Sequence, residues 1–597
     1  MNLEESLSQS ADGLYLNSLN YDDQEPSYWQ PIRHLEYTMG YIRKAGKQKI
    51  TDDAKVRNTI IGLIDYWLAK DYTNKNNWYY NEIGVPFDLA DISIMVKDYL
   101  TDAQLDKIAK ILNRGTIGRG PDDKEVYGSN GTDFIKISIV NAVLTNDYNL
   151  LDTCMNRINA LITKSDDKYT GIQEDMTYMG ATVLYSGGSY SATYMDNISY
   201  FIYLLDGTAF NIREDKYRLF VDFILDGQYF FNMKDGVPQW SLGRSAYQAS
   251  GGNYIRDALK RLLHNQNQYR IDELKAYYDS FYNDTSLEER ISYFPKAGVL
   301  VYKGPSGYFA ARGAADGVSL ANVQINEGVL DYNYSYGSNT CYMKSGDEYS
   351  SLSPVFDFSM LPGTTTYYES DDTLRRRWKE NYNKTWGFNE YVSPVNSHCD
   401  GKVDEETKAG IMVTELHHDD INGKNAFIIY KKRMYCLGTS FFNSEDDKSK
   451  EIITTIDQCE SDDQESRKTT LSKGESITNA SFRYTNLCEN GLICEREMQS
   501  GTISRSSLNF PDSNTAQSHE VFKCYYKWGA SLDEDSYAYS VSSLENEDSV
   551  DIKKIINTDN CQLIEFSDGM IIGYVYTSDF NLDGISLIHG SIVKKLK

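Results

Sequence analysis

Trp78, Tyr79 and Tyr80 stand in a row, with Asn76 and Asn77 before them and Asn81, Glu82 and a Gly84-Val85-Pro86 turn behind. Aromatic faces stack on the apolar CH faces of a sugar ring, and flanking amides reach its hydroxyl rim. The run suits a carbohydrate platform, and it would equally serve as the buried closure of a helical hairpin. Hydrolysis of a glycosidic bond would need two carboxylates facing it, for which Glu82 and Asp175 are the pair to consider. An anionic polymer would instead need a locally basic cleft. Arg114, Arg119, Lys136, Arg244, Arg256, Lys260 and Arg261 are the candidate contributors, against the simpler reading of a solvated helix surface.

The elements that must position such a site change character along the chain. Up to about residue 288, apolar residues recur at helical spacing: Ile60, Ile61, Leu63, Ile64, Trp67 and Leu68, then Ile92, Met95, Val96 and Tyr99, then Leu219, Phe220, Phe223 and Ile224. Thr101-Asp102-Ala103-Gln104 reads as a helix cap. Polar or Gly-containing loops join these helices, as in helical hairpins wound into a toroid or bundle. Beyond Tyr293-Phe294-Pro295 the segments become short and alternating, and Ala426–Tyr430 and Arg433–Leu437 form the arms of a hairpin around Lys431-Lys432. Helices followed by strands, in blocks, predict an α+β multidomain chain. We expect a helical domain over 1–288, an antiparallel β-domain over 289–544 and a short β-domain over 545–597.

With 597 residues, 41% hydrophobic and 13% aromatic, the chain is long enough for two or three cores. Its formal net charge of -26 disfavours nucleic acid and anionic membranes as partners. The nine cysteines form no CxxC pair and show no metal-like spacing with histidine, so no metal and no cofactor is expected. Cys488 and Cys494 are close enough to bridge a local turn. The N-terminus has no basic or apolar leader segment, and no stretch approaches a membrane span.

Several separated segments resemble polysaccharide lyase family 8, in the right order. Asn76 to Pro86 resembles the family's Asn-Trp-…-Glu-Ile-Gly-x-Pro segment, and Tyr127-Gly128-Ser129-Asn130-Gly131-Thr132-Asp133 its Thr-Gly-Ala-Asn-x-x-Asp. Asp175-Met176-Thr177-Tyr178 and Tyr185-Ser186-Gly187-Gly188-Ser189-Tyr190 are similar to its Asp-Gly-Ser-Phe and Gly-x-Tyr-Gly region. Trp240 to Ser245 resembles its Gly-Arg-Ser segment, Asn326-Glu327 falls at its Gly-Glu-Asn motif, and Leu361-Pro362-Gly363-Thr364-Thr365 matches its Leu-Pro-Gly-Thr-Thr. The likeness runs from about residue 30 to 540. It implies an incomplete (α/α) toroid, an antiparallel β super-sandwich and a small C-terminal β-domain. It further implies β-elimination at a 4-linked uronate of hyaluronan, chondroitin or xanthan type, with an anionic polysaccharide as partner, a monomer, and a secreted or cell-surface location.

Elimination requires an acidified C5 proton, a base to take it and an acid to protonate the departing O4. Charge developing on the uronate carboxylate calls for amide or imidazole donors, and the resemblance places Asn130 there. Tyr190 becomes base and acid, with Tyr185 as the alternative. A free tyrosine titrates near pH 10, so a neighbouring cation must favour the phenolate, and Arg244 is that cation. The resemblance implies that Glu327 orients the Tyr–Arg pair, with a structural salt bridge as the alternative, and Trp78, Tyr79, Asn81 and Gln248 are the candidate substrate contacts. The sequence departs from the family twice. The family's histidine, nine residues before its tyrosine, falls on Ala181, and no histidine lies between His34 and His264. Its second arginine falls on Gln248. Two readings stay open: an active lyase, or a carbohydrate-binding protein derived from one with weak or no turnover.

Overall fold

Ile60, Leu63, Ile64, Trp67 and Leu68 wind onto one face of helix Ala54–Lys70, and all five are buried. Asp53 caps this helix by accepting from the Lys55 and Val56 amides, and Asp71 ends it in a left-handed conformation. The computed structural model describes residues 30–595 apart from 75–77, 120–126, 166–169, 181, 249–252, 284–286, 324–326, 383–389, 393–397, 445–449, 464, 508–514 and 547. Asn76, Asn77, Ala181 and Asn326 therefore lie outside the described residues, as does the side chain of Gln248.

The chain divides into two compact units that interleave in sequence, one of Met1–Thr163 with Tyr200–Lys216, the other of Lys164–Ser199 with Tyr217–Lys597. The first is helical, with helices Gln30–Lys47, Ala54–Lys70, Val85–Val96, Asp102–Leu112, Gly128–Thr145 and Tyr148–Leu161. Thr101 and Gln104 form the expected reciprocal capping box. Ile92 and Val96 enter the core, but Met95 points outward, 39% exposed. The apolar stripe of that helix is narrower than the sequence pattern suggested.

His34 is buried in this unit, its ring stacked on Tyr66 and its Nε2 3.1 Å from the Leu63 carbonyl. Burial lowers its pKa from 6.5 to about 4, against the opposing pull of the Leu63 carbonyl. An unfolded chain takes up a proton at this position below about pH 6.5 that the folded unit refuses until about pH 4. Stability therefore falls as pH falls through that window, by about 3 kcal/mol in all. Urea unfolding followed across these pH values should show the loss, and His34→Gln should flatten it. An unchanged slope in the variant would assign the acid sensitivity to other groups.

The second unit begins with a small sheet over Lys164–Leu184 and helices, and is then dominated by antiparallel strands. A four-stranded sheet holds Arg290–Phe294, Val299–Gly304, Gly307–Arg312 and Asn339–Met343. A seven-stranded sheet contains the expected hairpin. Strands Ile421–Tyr430 and Arg433–Asn443 pair Ile428 with Tyr435 and Tyr430 with Arg433. Lys431 and Lys432 turn it with φ of 49° and 55°, the doubly left-handed turn that matches strand twist. A five-stranded sheet runs in the order Thr365–Tyr368, Glu451–Glu460, Gln517–Gly529, Leu492–Gly501, Arg467–Leu471. The C-terminal four-stranded sheet, Ile552–Lys595, packs Ile564, Phe566, Met570 and Ile572 against Ile411, Ala426, Ile428 and Leu437 of the seven-stranded sheet. Helices followed by antiparallel sheets give the α+β multidomain class expected from the sequence.

No disulfide joins any of the nine cysteines in this structure. The local Cys488–Cys494 bridge is not made. Cys488 sits on a turn with its Sγ 3.4 Å from Asn486 Oδ1, whereas Cys494 is buried on a strand facing another residue.

Candidate active site

Tyr190 opens helix Tyr190–Leu205, directly after a constrained turn. Gly187 has φ of 102°, and a Cβ there would stand 2.9 Å from the Phe231 carbonyl oxygen. Gln228 Oε1 accepts from the Gly187 amide at 3.0 Å, and a Cβ on Gly188 would press to 2.2 Å of Leu242. Gly187 is thus required where the chain turns to present Tyr190, and Gly188 leaves room for the end of the Leu242 side chain. Tyr190 is half-buried, whereas Tyr185 is fully buried. The two rings meet edge to face, 4.8 Å apart at 79°. The Tyr185 hydroxyl accepts from Asn322 Nδ2 at 2.7 Å, across 137 residues of sequence. Gly243 crosses the Tyr185 ring so closely that a Cβ would lie 2.2 Å from it, and this contact seats the next residue, Arg244.

Arg244 lies with its guanidinium carbon 5.0 Å from the Tyr190 ring centroid. Its Nε donates to Glu327 Oε2 at 2.8 Å, with both side chains less than one-fifth exposed. Burial works against its charge, but Tyr185, Tyr190 and Glu327 around it, with a hydrogen bond to Tyr190, hold its pKa above the ordinary arginine value. Glu327 is fixed in turn. It forms an isolated bridge to Ser507, and the Val329 amide donates to the Ser506 carbonyl at 3.2 Å. Gly328, with φ of 65°, follows it, and a Cβ there would stand 2.7 Å from Asp331 Oδ2. Asp331 is buried, and burial followed by the Glu327 charge pushes its pKa well above the usual carboxylate range. The second unit thus brings Tyr190, Arg244 and Glu327 together, with Tyr185 and Asn322 behind them. Asn322 and Asp331 were not picked out from the sequence. Nothing local marks them, because their relevance comes from where distant strands return.

Asn130, Trp78, Tyr79 and Asn81 belong to the helical unit. Asn130 is half-buried in the first turn of helix Gly128–Thr145, where Thr132 Oγ1 donates back to the Ser129 carbonyl at 2.6 Å. Trp78 is 41% exposed and meets Tyr79 edge to face at 6.1 Å, while Tyr80 is wholly buried. The aromatic run is thus divided between surface and core. Asn81 is a loop clamp: its Nδ2 donates to the Asn74 carbonyl at 2.7 Å and its Oδ1 accepts from the Asn74 amide at 2.8 Å. A Cβ on Gly115 would stand 2.1 Å from the Glu82 carbonyl oxygen and 3.0 Å from Ile137. That close approach seats the aromatic turn against the helix carrying Asn130.

The candidate cations are largely paired. Arg114 bonds Asp71 at 2.8 Å, Lys136 bonds Asp91 at 3.0 Å, Arg261 bonds Asp196 at 2.6 Å, and Arg119 pairs with Asp147. Asp175, considered above as half of a hydrolytic pair, holds a turn. It accepts from Thr177 through one oxygen and from the Lys296 amide at 2.8 Å through the other. No helix among the described residues is long and apolar enough to cross a membrane.

Helices leading into antiparallel sheets, as in this chain, have known counterparts. Residues 2–264 match the N-terminal α-helical domain of polysaccharide lyase family 8, and residues 289–552 match that family's super-sandwich domain. The chain belongs to polysaccharide lyase family 8. It is 23% identical over 454 residues to chondroitinase-AC of Pedobacter heparinus, covering 73% of this chain and 60% of that protein. It is 20% identical over 539 residues to hyaluronate lyase of Staphylococcus aureus, covering 78% and 64%. It thus spans less than two thirds of the length of either relative. The solved structure of chondroitinase AC lyase with oligosaccharides superposes with a TM-score of 0.83 at 19% identity, over 99% of this chain and 90% of that one.

Proposed function

We propose that the protein is a polysaccharide lyase that cleaves a 4-linked glucuronate-containing polymer of hyaluronan or chondroitin type by β-elimination. The observation that carries this reading is the Tyr190–Arg244–Glu327 chain, in which a half-buried tyrosine adjoins a cation locked by a carboxylate. In the reaction proposed, Asn130 donates its amide to the uronate carboxylate as charge builds there, aided by the positive end of its helix. Tyr190 removes the C5 proton and returns a proton to O4 as the C4–O4 bond breaks, which leaves a 4,5-double bond. Arg244 supplies positive charge beside the Tyr190 hydroxyl during the transfer, and Glu327 keeps it aimed. Tyr185 does not serve as the base in this scheme, because it is buried with its hydroxyl taken by Asn322. Trp78 and Tyr79 offer faces for sugar stacking.

The test is incubation with hyaluronan and with chondroitin while following the absorbance of the unsaturated uronate. The expected product carries that group at its new non-reducing end and no oxygen from labelled water. Saturated products with water incorporated would establish hydrolysis instead. Binding of polymer without any product would favour the second reading, a lyase-derived carbohydrate-binding protein, which Ala181 in the family's histidine position supports.

Sulfation should matter. Arg114, Arg119, Lys136 and Arg261 are each neutralised by a carboxylate, so added sulfate gains little attraction while net charge repels it. Desulfated chondroitin is expected to give a higher kcat/KM than its sulfated parent, a ratio that initial rates on matched chain lengths will measure.

A further inference from the structure

Strands Leu492–Gly501 and Gln517–Gly529 are neighbours in the five-stranded sheet, and their register sets Cys494 directly opposite Cys524. Directly opposed residues on antiparallel strands have Cα atoms about 4.5–5.5 Å apart, inside the range of about 4.4–6.8 Å that a disulfide spans. The two side chains share one face, both are buried, and their sulfurs are 3.3 Å apart. Neither competing thiol is so placed. Cys488 sits on its turn, within reach of Asn486 Oδ1 at 3.4 Å and the Tyr526 hydroxyl at 3.5 Å. Cys459, one strand over, is opposite Phe522 and not Cys524, with Asn479 Nδ2 3.3 Å from its sulfur.

We propose that Cys494 and Cys524 are a disulfide-forming pair, oxidised by thiol–disulfide exchange when the chain folds in the presence of a disulfide oxidant. One cysteine, as thiolate, attacks a sulfur of the oxidant RSSR, forming a mixed disulfide and releasing RS⁻. The second cysteine, as thiolate, attacks the protein sulfur of that mixed disulfide and releases the second RS⁻. Two protein thiols are oxidised, one oxidant disulfide is reduced to two thiols, and the cysteine protons pass to the released thiolates or to solvent. The exchange belongs to the folding chain, since burial in the finished sheet pushes the Cys524 thiol well above its ordinary pKa and leaves little thiolate. The bond staples two strands whose cysteines are 30 residues apart. One of these strands continues toward Ser506 and Ser507, the residues that pair with the Glu327 segment.

The experiment is refolding of the full chain in a reduced and oxidised glutathione buffer, then denaturation, alkylation, intact mass and peptide mapping. We expect two fewer alkylated thiols than the nine in the sequence, a mass about 2 Da lower before alkylation, and a peptide pair joined through Cys494 and Cys524. Dithiothreitol should lower the Tm of this material by several degrees, and Cys494→Ser and Cys524→Ala should each abolish that response. Full alkylation of all the cysteines, or a bond joining Cys488 to Cys494 or Cys459 to Cys524 in its place, would overturn the proposal. The wild-type map decides this even if a variant fails to fold.

Discussion

Tyr190→Phe is expected to lower turnover by about 10³-fold or more while leaving polymer affinity close to that of the parent. General acid–base groups typically contribute about 10²–10⁴-fold, and here one hydroxyl would serve both proton transfers. The variant keeps the ring. Its edge-to-face contact with Tyr185 at 4.8 Å and its place beside the Arg244 guanidinium at 5.0 Å both persist, so the turn and the cation stay in position. A fall in kcat with little change in Kd is therefore the signature. Stopped assays with purified polymer, alongside binding measured calorimetrically, separate the two quantities. A near-normal rate would remove Tyr190 from the chemistry and leave the Arg244–Glu327 pair as a structural ion pair.

The second large effect is expected in the choice between uronate epimers. In a glucuronate, the C5 proton and O4 leave from one face, so a single tyrosine can take one proton and deliver another. In an iduronate the proton lies on the opposite face and needs a second base. Nine residues before Tyr190 the chain carries Ala181, which has no basic atom, and no histidine lies between His34 and His264. Tyr185, whose ring packs on Tyr190, is buried and its hydroxyl is bonded by Asn322. An amide such as Asn130 has no useful basicity. Chondroitin-type chains are expected to be cleaved at least about 10²-fold faster than dermatan-type chains of equal length, a gap set by the loss of one acid–base group. Comparable rates on the two would require an unassigned base.

The sequence was most legible where the signal is local. Thr101 and Gln104 announced a capping box because both halves lie within one turn of helix. Lys431-Lys432 could be read as a hairpin turn because alternating apolar arms flank it. The family motifs identified Tyr190, Arg244 and Glu327, which the second unit brings together. What could not be read was anything decided by distant partners. The bond from Asn322 to Tyr185 joins residues 137 apart and has no periodicity to reveal it. The ion pairs that occupy Arg114 and Lys136 draw their carboxylates from 43 and 45 residues away. Met95 obeyed helical spacing yet faces outward, because spacing fixes which residues share a stripe but not how wide a stripe the neighbouring helices cover. Cys488 and Cys494 were close in sequence, whereas strand register faces Cys494 with Cys524.

The bridge between Glu327 and Ser507 bears on how the protein can be taken apart and put back together. Arg244 and its carboxylate are 83 residues apart, and the carboxylate is anchored by chain far downstream again. A fragment ending before the β-sheets would carry Tyr190 and Arg244 with the guanidinium unclamped, so dissecting the protein at the helix-to-strand transition separates Arg244 from the carboxylate that holds it. Loop closures of this span are slow to form. During renaturation the helical signal should return early, and catalytic competence should reappear only when the last strands have locked.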